Sequence, residues 1–167
     1  MYFGLSEDQI FFQDNVRKFL EDQVPLDSIK KISEGESLDV KNELHKSLIA
    51  LGINNILIPE KNGGLGLDLL FATAVSQSLG EGVATLPFLG PYVMAPIAIK
   101  YGASKDQNEK LFNDMSQNLI NFGIGFSEYF GSRDSSELSF SNNKVTGRTL
   151  FVLDTDFATH VMLADKK

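Results

Sequence analysis

The chain has 167 residues, of which 43% are hydrophobic, 22% are charged and none is cysteine. This length can bury one complete core, or one domain and part of a second, and the lack of cysteine excludes disulfides, thiolate metal ligands and a cysteine nucleophile. Two histidines argue against a histidine metal cluster, and a net charge of −7 argues against nucleic-acid binding, because no basic stripe is present to neutralise phosphates.

The sequence also argues against membrane insertion and export. Prolines interrupt the apolar stretch 86–99, and no apolar run reaches the roughly 20 residues that a membrane helix needs. Residues 1–5 lack the basic flank and apolar core of a signal peptide. We therefore expect a cytoplasmic protein without a membrane span.

A capping box predicts the first helix. The Ser6 side chain can accept from the amide of Gln9, and the Gln9 side chain can reach back, just before apolar residues at helical spacing. This helix should run to about Asp22. A polar connection at 25–37 follows, and a second helical pattern occupies 38–51.

A short apolar run and a glycine-rich turn come next. We interpret 53–58 as extended, because Pro59 closes the run. The glycines of 63–66 suit a turn with positive φ, and a phosphate cradle is the alternative. Because no Lys-Ser/Thr pair or dinucleotide fingerprint spacing accompanies them, the pattern favours a role in backbone geometry.

Three more helices complete a predicted five-helix bundle. One covers about 68–79, and another covers 90–102 with a kink or start near Pro91 and Pro96. A second capping box, at Ser104–Gln107, opens the last helix.

The hydrophobic period changes near Leu119, from helical spacing to alternation. Alternating residues indicate short strands over 119–126, 138–141, Val145, 147–153 and 160–164, with a hairpin turn at 142–143. The predicted fold class is α+β: an all-α helical bundle followed by an incomplete antiparallel β domain. Because so small a sheet leaves an edge and a face uncovered, we expect the chain to be the first part of a larger protein; a complete small α+β domain is the alternative.

Several segments, taken in order, carry a family resemblance. They are Leu5-Ser6-Glu7-Asp8-Gln9, Leu51-Gly52-Ile53, Ile58-Pro59-Glu60, Gly63-Gly64-Leu65-Gly66, Leu79-Gly80-Glu81, Leu86-Pro87-Phe88-Leu89, 102–107, Phe126-Ser127-Glu128 and 147–154. Together they resemble the acyl-CoA dehydrogenase family along essentially the whole chain. Family members have an N-terminal helical domain, a middle β domain and a C-terminal four-helix domain. The resemblance thus implies a helical domain over 1–118 and the beginning of the middle β domain, truncated, over 119–167.

The resemblance implies α,β-dehydrogenation of an acyl-CoA thioester in fatty-acid metabolism. A carboxylate removes the α-proton while the β-hydride passes to N5 of FAD, and electrons leave to an electron-transferring flavoprotein. The complete protein would be a homo- or hetero-oligomer. In the family the catalytic glutamate generally lies in the C-terminal domain, so we expect the base to lie beyond residue 167 and assign no catalytic residue. We expect this chain alone to be inactive and to bind FAD weakly or not at all.

The residues that the resemblance places near the flavin are Ile124, Phe126, Ser127, Phe151 and Leu153. Ser127 would offer a hydroxyl to the isoalloxazine edge. Phe151 and Leu153 stand where the family has a Trp-x-Thr pattern, so Phe151 keeps the packing role but Leu153 has no hydroxyl to donate. Inward-facing strand positions are the alternative for Phe126, Phe151 and Leu153.

The residues that the resemblance places near the substrate are Leu86, Phe88, Leu89, Tyr92, Val93, Pro96, Ser132 and Arg133. The first six would line the acyl chain, but packing in the bundle core is the alternative and is preferred for most of them. Tyr92 is the exception, because it has a polar tip near a proline kink. Ser132 and Arg133 fall where the family has Pro-Gly-x-Gly-Ser-Asp, and this chain lacks the proline and one glycine.

Two other functions stay open. Leu153 and the altered stretch 128–133 also suit a non-catalytic subunit or interaction module of an acyl-CoA dehydrogenase-like complex. A flavin-dependent monooxygenase of the same fold is a further alternative.

Overall fold

The computed structural model describes residues 4–35, 38–126 and 138–164. Its helices are α1 Glu7–Gln23, α2 Leu26–Ser33, α3 Leu38–Ala50, α4 Leu69–Glu81, α5 Ala95–Gly102 and α6 Lys105–Ser116, and a π-helical turn, Leu89–Met94, leads directly into α5. The strands are β1 Phe122–Gly125, β2 Ser139–Ser141, β3 Lys144–Thr146 and β4 His160–Leu163. Helices followed by a few strands confirm the predicted α+β class. In the described ranges, no helix combines the length and the apolar character that a bilayer span requires.

Both predicted capping boxes are present. The Gln9 amide donates to Ser6 Oγ at 3.2 Å, and the Ser6 amide donates to Gln9 Oε1 at 2.9 Å. Ser104 and Gln107 make the same reciprocal pair at the start of α6, at 3.0 and 3.3 Å. Each cap satisfies amides that the helix leaves open, and a cap of this kind stabilises a helix by about 1 kcal/mol.

Two local predictions are wrong. The segment 25–37, predicted as a polar connection, contains α2, which forms because Ile29 and Ile32 lie one turn apart and pack against the bundle core. The segment 53–58, predicted as extended, begins instead as a 3₁₀ turn after Gly52, whose φ is +81°. Compact turns bury the three isoleucines of this run almost completely and leave Leu57 half-buried.

The glycine-rich turn fits against this run. The amides of Leu65 and Gly66 donate to the carbonyl oxygens of Asn55 and Ile58, each at 2.8 Å. A Cβ on Gly64 would lie 2.0 Å from the carbonyl oxygen of Ile58, so no other residue fits there. The favoured role in backbone geometry is the one that the structure shows.

The apolar interior forms two clusters. The first joins α1, α2, α3, α4 and the π-helical turn, with Val16, Leu48 and Val75 almost fully buried. The second joins α5, α6 and β1, with Phe112 at its centre and Phe122 and Ile124 contributed by the strand. All four residues of β1 are buried, so this strand is packed onto helices.

The strand pairing is mixed. β2 and β3 form the predicted antiparallel hairpin, with Asn142 and Asn143 at positive φ in the turn. β1 pairs with β4 in parallel, from Phe122 opposite His160 to Gly125 opposite Leu163. The prediction of a regular strand over 147–153 is wrong: Leu153 forms an isolated antiparallel bridge to Ile124, outside any named strand. The positive φ of Phe151, +54°, prevents a regular strand there.

Candidate functional site

The candidate site lies at the end of β1, where two of the predicted flavin segments meet. The Ile124 amide donates to the Leu153 carbonyl at 3.0 Å, and the Leu153 amide donates to the Ile124 carbonyl at 2.8 Å. These two bonds hold residues distant in sequence side by side. The Ile124 side chain is buried in the second cluster and anchors the strand there. The backbone of Ile124 makes the pairing with Leu153.

The two predicted aromatic residues differ in exposure. Phe126 is half-buried and packs against the second cluster. Phe151 is 80% exposed and precedes the bridge residue Leu153 by two positions, so the inward-facing alternative does not hold for it. Its ring offers an uncovered apolar face next to the strand end. Ser127, Ser132 and Arg133 lie outside the described residues.

The residues at this strand end fit part of a flavin site. The ring of Phe151 can pack on a planar heterocycle. Leu153 cannot supply a hydrogen bond, because its side chain has no donor and its amide is already bonded to Ile124. A bound flavin would therefore make packing contacts here, and the hydrogen-bond donors to the flavin would have to come from other positions in the protein.

The structure divides the six predicted acyl-wall residues into core and surface positions. Phe88, Tyr92 and Val93 belong to the first core cluster, and Pro96 is fully buried, in agreement with the preferred packing explanation. Leu89 is 52% exposed. Leu86 is half-buried and lines a cleft of about 340 Å³, which Asp154 and other residues also line.

Tyr92 is the centre of a buried polar cluster that we call the His45 cluster: His45, Tyr92 and Asn121. Tyr92 Oη lies 2.8 Å from His45 Nε2, and Asn121 Nδ2 donates to the same oxygen at 3.5 Å. Tyr92 and His45 are only 4% and 7% exposed. The polar tip that drew attention in the sequence therefore faces a histidine inside the protein. Tyr92 lies in the π-helical turn, and such turns often occur at functional positions. This makes the His45 cluster a candidate functional region.

The electrostatics of the His45 cluster favour neutral side chains. Burial lowers the pKa of His45, and the charge of Lys41 lowers it further. Burial raises the pKa of Tyr92 to about 12, although the hydrogen bond from Asn121 acts in the opposite direction. Asn121 donates to the Tyr92 oxygen, and donation of the hydroxyl proton to His45 Nε2 requires the tautomer that carries its imidazole proton on Nδ1.

A short segment, which we call the strap (residues 154–157), ties the strands to the helices. The Gly90 amide donates to Asp154 Oδ2 at 2.7 Å, and Asp156 pairs with Lys41 of α3. Phe157 stacks on the His45 ring, with centroids 4.1 Å apart and planes 3° apart. The strap thus reaches both α3 and the π-helical turn directly beyond Leu153.

Sequence reasoning singled out Tyr92 but missed its partners His45 and Asn121, and it missed the strap. These contacts join residues that are far apart in the chain, and neither periodicity nor a motif links them. One signal of the His45 cluster was available in the sequence. The chain has two histidines, and one of them, His45, lies within the predicted helix 38–51. Within the described ranges, no group of three or more His, Asp or Glu side chains could hold a metal ion.

Comparison with protein families and solved structures places this geometry in context. Residues 6–118 match the family model for the acyl-CoA dehydrogenase N-terminal domain. Comparison with curated proteins gave no match.

Three solved structures illustrate the structural similarity. The FAD complex of PigA has 17% identity and a TM-score of 0.75, over 100% of this chain and 45% of that one. Butyryl-CoA dehydrogenase from Megasphaera elsdenii has 18% identity and a TM-score of 0.69, over 98% and 45%. The ChsE4-ChsE5 complex from Mycobacterium tuberculosis has 18% identity and a TM-score of 0.70, over 99% and 44%. The chain thus spans less than half the length of these chains, and at these low identities the TM-scores show a shared fold alone.

Proposed function

Because the chain belongs to the acyl-CoA dehydrogenase family, we propose that it serves the FAD-dependent α,β-dehydrogenation of an acyl-CoA thioester. The observation that carries the proposal is the family match over residues 6–118. The division at 118/119 into a helical domain and the beginning of a β domain is part of the proposal. The proposal also includes a role in fatty-acid metabolism, a cytoplasmic location and transfer of electrons to an electron-transferring flavoprotein.

The chain's own residues would support the flavin rather than react with it. FAD, when bound, supplies the hydride acceptor. The Phe151 ring would pack on the isoalloxazine, and the Ile124–Leu153 bridge would hold that ring in place. The proposed proton acceptor is a carboxylate from the C-terminal domain of the family. The residues of this chain would therefore bind and orient the flavin.

The proposed acyl contacts are the two residues of the predicted set that keep accessible surface. Leu86 and Leu89 retain surface that a substrate can cover, whereas Phe88, Val93 and Pro96 are occupied by packing. Tyr92 would act from inside, through the His45 cluster and the strap, by fixing the segment that follows Leu153. The proposed flavin contact of Ser127 and CoA contacts of Ser132 and Arg133 complete the proposal.

The test uses the protein from its native cells, captured with an antibody against this chain. The expected result is a bound flavin whose absorbance bleaches when an acyl-CoA is added without oxygen, and electron transfer to an electron-transferring flavoprotein. A native protein that carries no flavin would contradict the proposal. Flavin reduced by a nicotinamide cofactor, reoxidised by oxygen and indifferent to acyl-CoA would favour the monooxygenase.

A matched pair of variants tests the flavin contact. Phe151→Ala should weaken FAD binding in the complete protein, because the exposed ring is lost. Phe140→Ala is the control, since Phe140 is also exposed, at 57%, but lies on the separate β2–β3 hairpin. Equal FAD affinity for the two variants would show that Phe151 does not contact the flavin.

A non-catalytic role is the second candidate, and Leu153 is the observation that favours it. A site without a hydroxyl at this position, and with its amide already bonded, lacks one donor for the flavin. In that case the native protein would form a stable complex with a flavin-bearing partner while carrying no flavin of its own. Leu153→Thr should then fail to produce acyl-CoA-dependent bleaching.

A further inference from the structure

A groove on the helical part of the chain shares Pro96 with the predicted acyl wall, and its other lining residues lie outside the candidate site. It has a volume of about 330 Å³ and lies between α5 and the stretch that leads into α4. Its walls are apolar: Leu57, Leu67 and Ile97 are half-buried, and Leu69 is 52% exposed. This volume falls within the range of small-molecule sites, which are typically apolar with a few polar groups.

Two charged side chains line the groove, and they are not equivalent. The Asp68 carboxylate caps α4, accepting from the amides of Leu70 and Phe71 at 3.0 and 3.2 Å. Its negative charge is therefore engaged by the start of the helix. Within the described part of the chain, Lys100 has no carboxylate partner, and its ammonium lies 5.5 Å from the ring centroid of Tyr101.

The aromatic ring beside Lys100 extends the groove. Tyr101 is 78% exposed, a large fraction for an aromatic side chain at the edge of an apolar depression. Its ring and the Lys100 stem together continue the apolar wall, while the ammonium remains at the rim. The groove thus presents apolar walls that end at one unpaired positive charge.

We propose that this α4–α5 groove binds a small amphipathic carboxylate, with its apolar body between Leu57 and Ile97 and its carboxylate paired with Lys100. An amine of the same length would be repelled by the Lys100 ammonium, and it would meet an Asp68 carboxylate that already accepts two amide hydrogen bonds. A polyphosphate would find one cation where it needs several. A neutral alcohol would gain the apolar contacts but no ion pair.

The test is a titration of the complete protein, labelled at Leu and Ile methyl groups, with octanoate, octanol and octylammonium below their micelle-forming concentrations. Octanoate should shift the methyl signals of Leu57, Leu67 and Ile97 saturably and bind more tightly than the other two ligands. Decanoate should bind about fifteenfold more tightly than octanoate, because it has two more methylenes and each contributes about fourfold. Shifts that stay linear, or that spread over methyl groups outside the groove, would overturn the proposal.

Two lysine variants test the charge. Lys100→Gln should weaken octanoate binding about threefold, as loss of an exposed ion pair does, and leave octanol binding unchanged. Lys110→Gln is the control, because this exposed lysine of α6 lies outside the groove and its loss changes the net charge equally. Equal octanoate affinity in the two variants would show that Lys100 does not recognise the carboxylate.

Discussion

Replacement of Tyr92 by phenylalanine would remove one hydroxyl from the His45 cluster and leave the ring in place. The variant loses a 2.8 Å hydrogen bond at a position that is 4% exposed, and it leaves His45 Nε2 without that partner. A hydrogen bond contributes about 1 kcal/mol net, and a buried polar atom left unpaired costs about 1–3 kcal/mol. We therefore expect the free energy of unfolding to fall by about 2 kcal/mol.

Urea denaturation above pH 6.5, where His45 is neutral, measures this loss. In a chain of this size it corresponds to a fall in Tm of about 4–8 °C. Tyr101→Phe removes the same hydroxyl from a side chain that is 78% exposed, and it should change stability by less than about 0.5 kcal/mol. Equal stability of the two variants would refute the reasoning, because the hydroxyl of Tyr92 would then contribute nothing that an exposed hydroxyl does not.

Three further predictions concern the same fold. Because burial lowers the pKa of His45 below its ordinary 6.5, the folded chain should lose stability as the pH falls below 6.5 towards the lowered value. In urea denaturation at a series of pH values, the His45→Gln variant should lack this loss. Curves of stability against pH that run parallel for the two proteins would contradict the prediction. Gly64→Ala should destabilise by more than about 2 kcal/mol, because its Cβ would overlap the Ile58 carbonyl, whereas Gly80→Ala, with open space in α4, should stabilise by about 0.5 kcal/mol in thermal melts. Phe157→Ala and His45→Ala, combined in a double-mutant cycle, should show a coupling of about 1 kcal/mol for their stacked rings, and additive effects would argue against the stack.

The sequence predicted the parts of this fold that depend on neighbouring residues. The capping boxes at Ser6 and Ser104 act over three residues, so their helices begin where the pattern places them. The turn at 142–143 is equally local. The helix α2 was missed because polar residues outnumber the apolar pair that docks it, and docking is a tertiary effect.

The candidate site was predicted only in part. The family resemblance selected Ile124 and Leu153, which the structure holds together by two backbone hydrogen bonds. The contact between His45 and Tyr92 spans 47 positions, and that between Gly90 and Asp154 spans 64. Such pairs follow from the packing of whole helices, which a single sequence does not encode as a local pattern.

The placement of β1 in the second core cluster has a consequence for cooperativity. The family match ends at residue 118, yet Phe122 and Ile124 of β1 belong to the same buried cluster as Ile99 of α5 and Phe112 of α6. The edge of the matched region is thus not the edge of a folding unit. In native-state hydrogen exchange, the β1 amides should open together with those of α6, as one foldon.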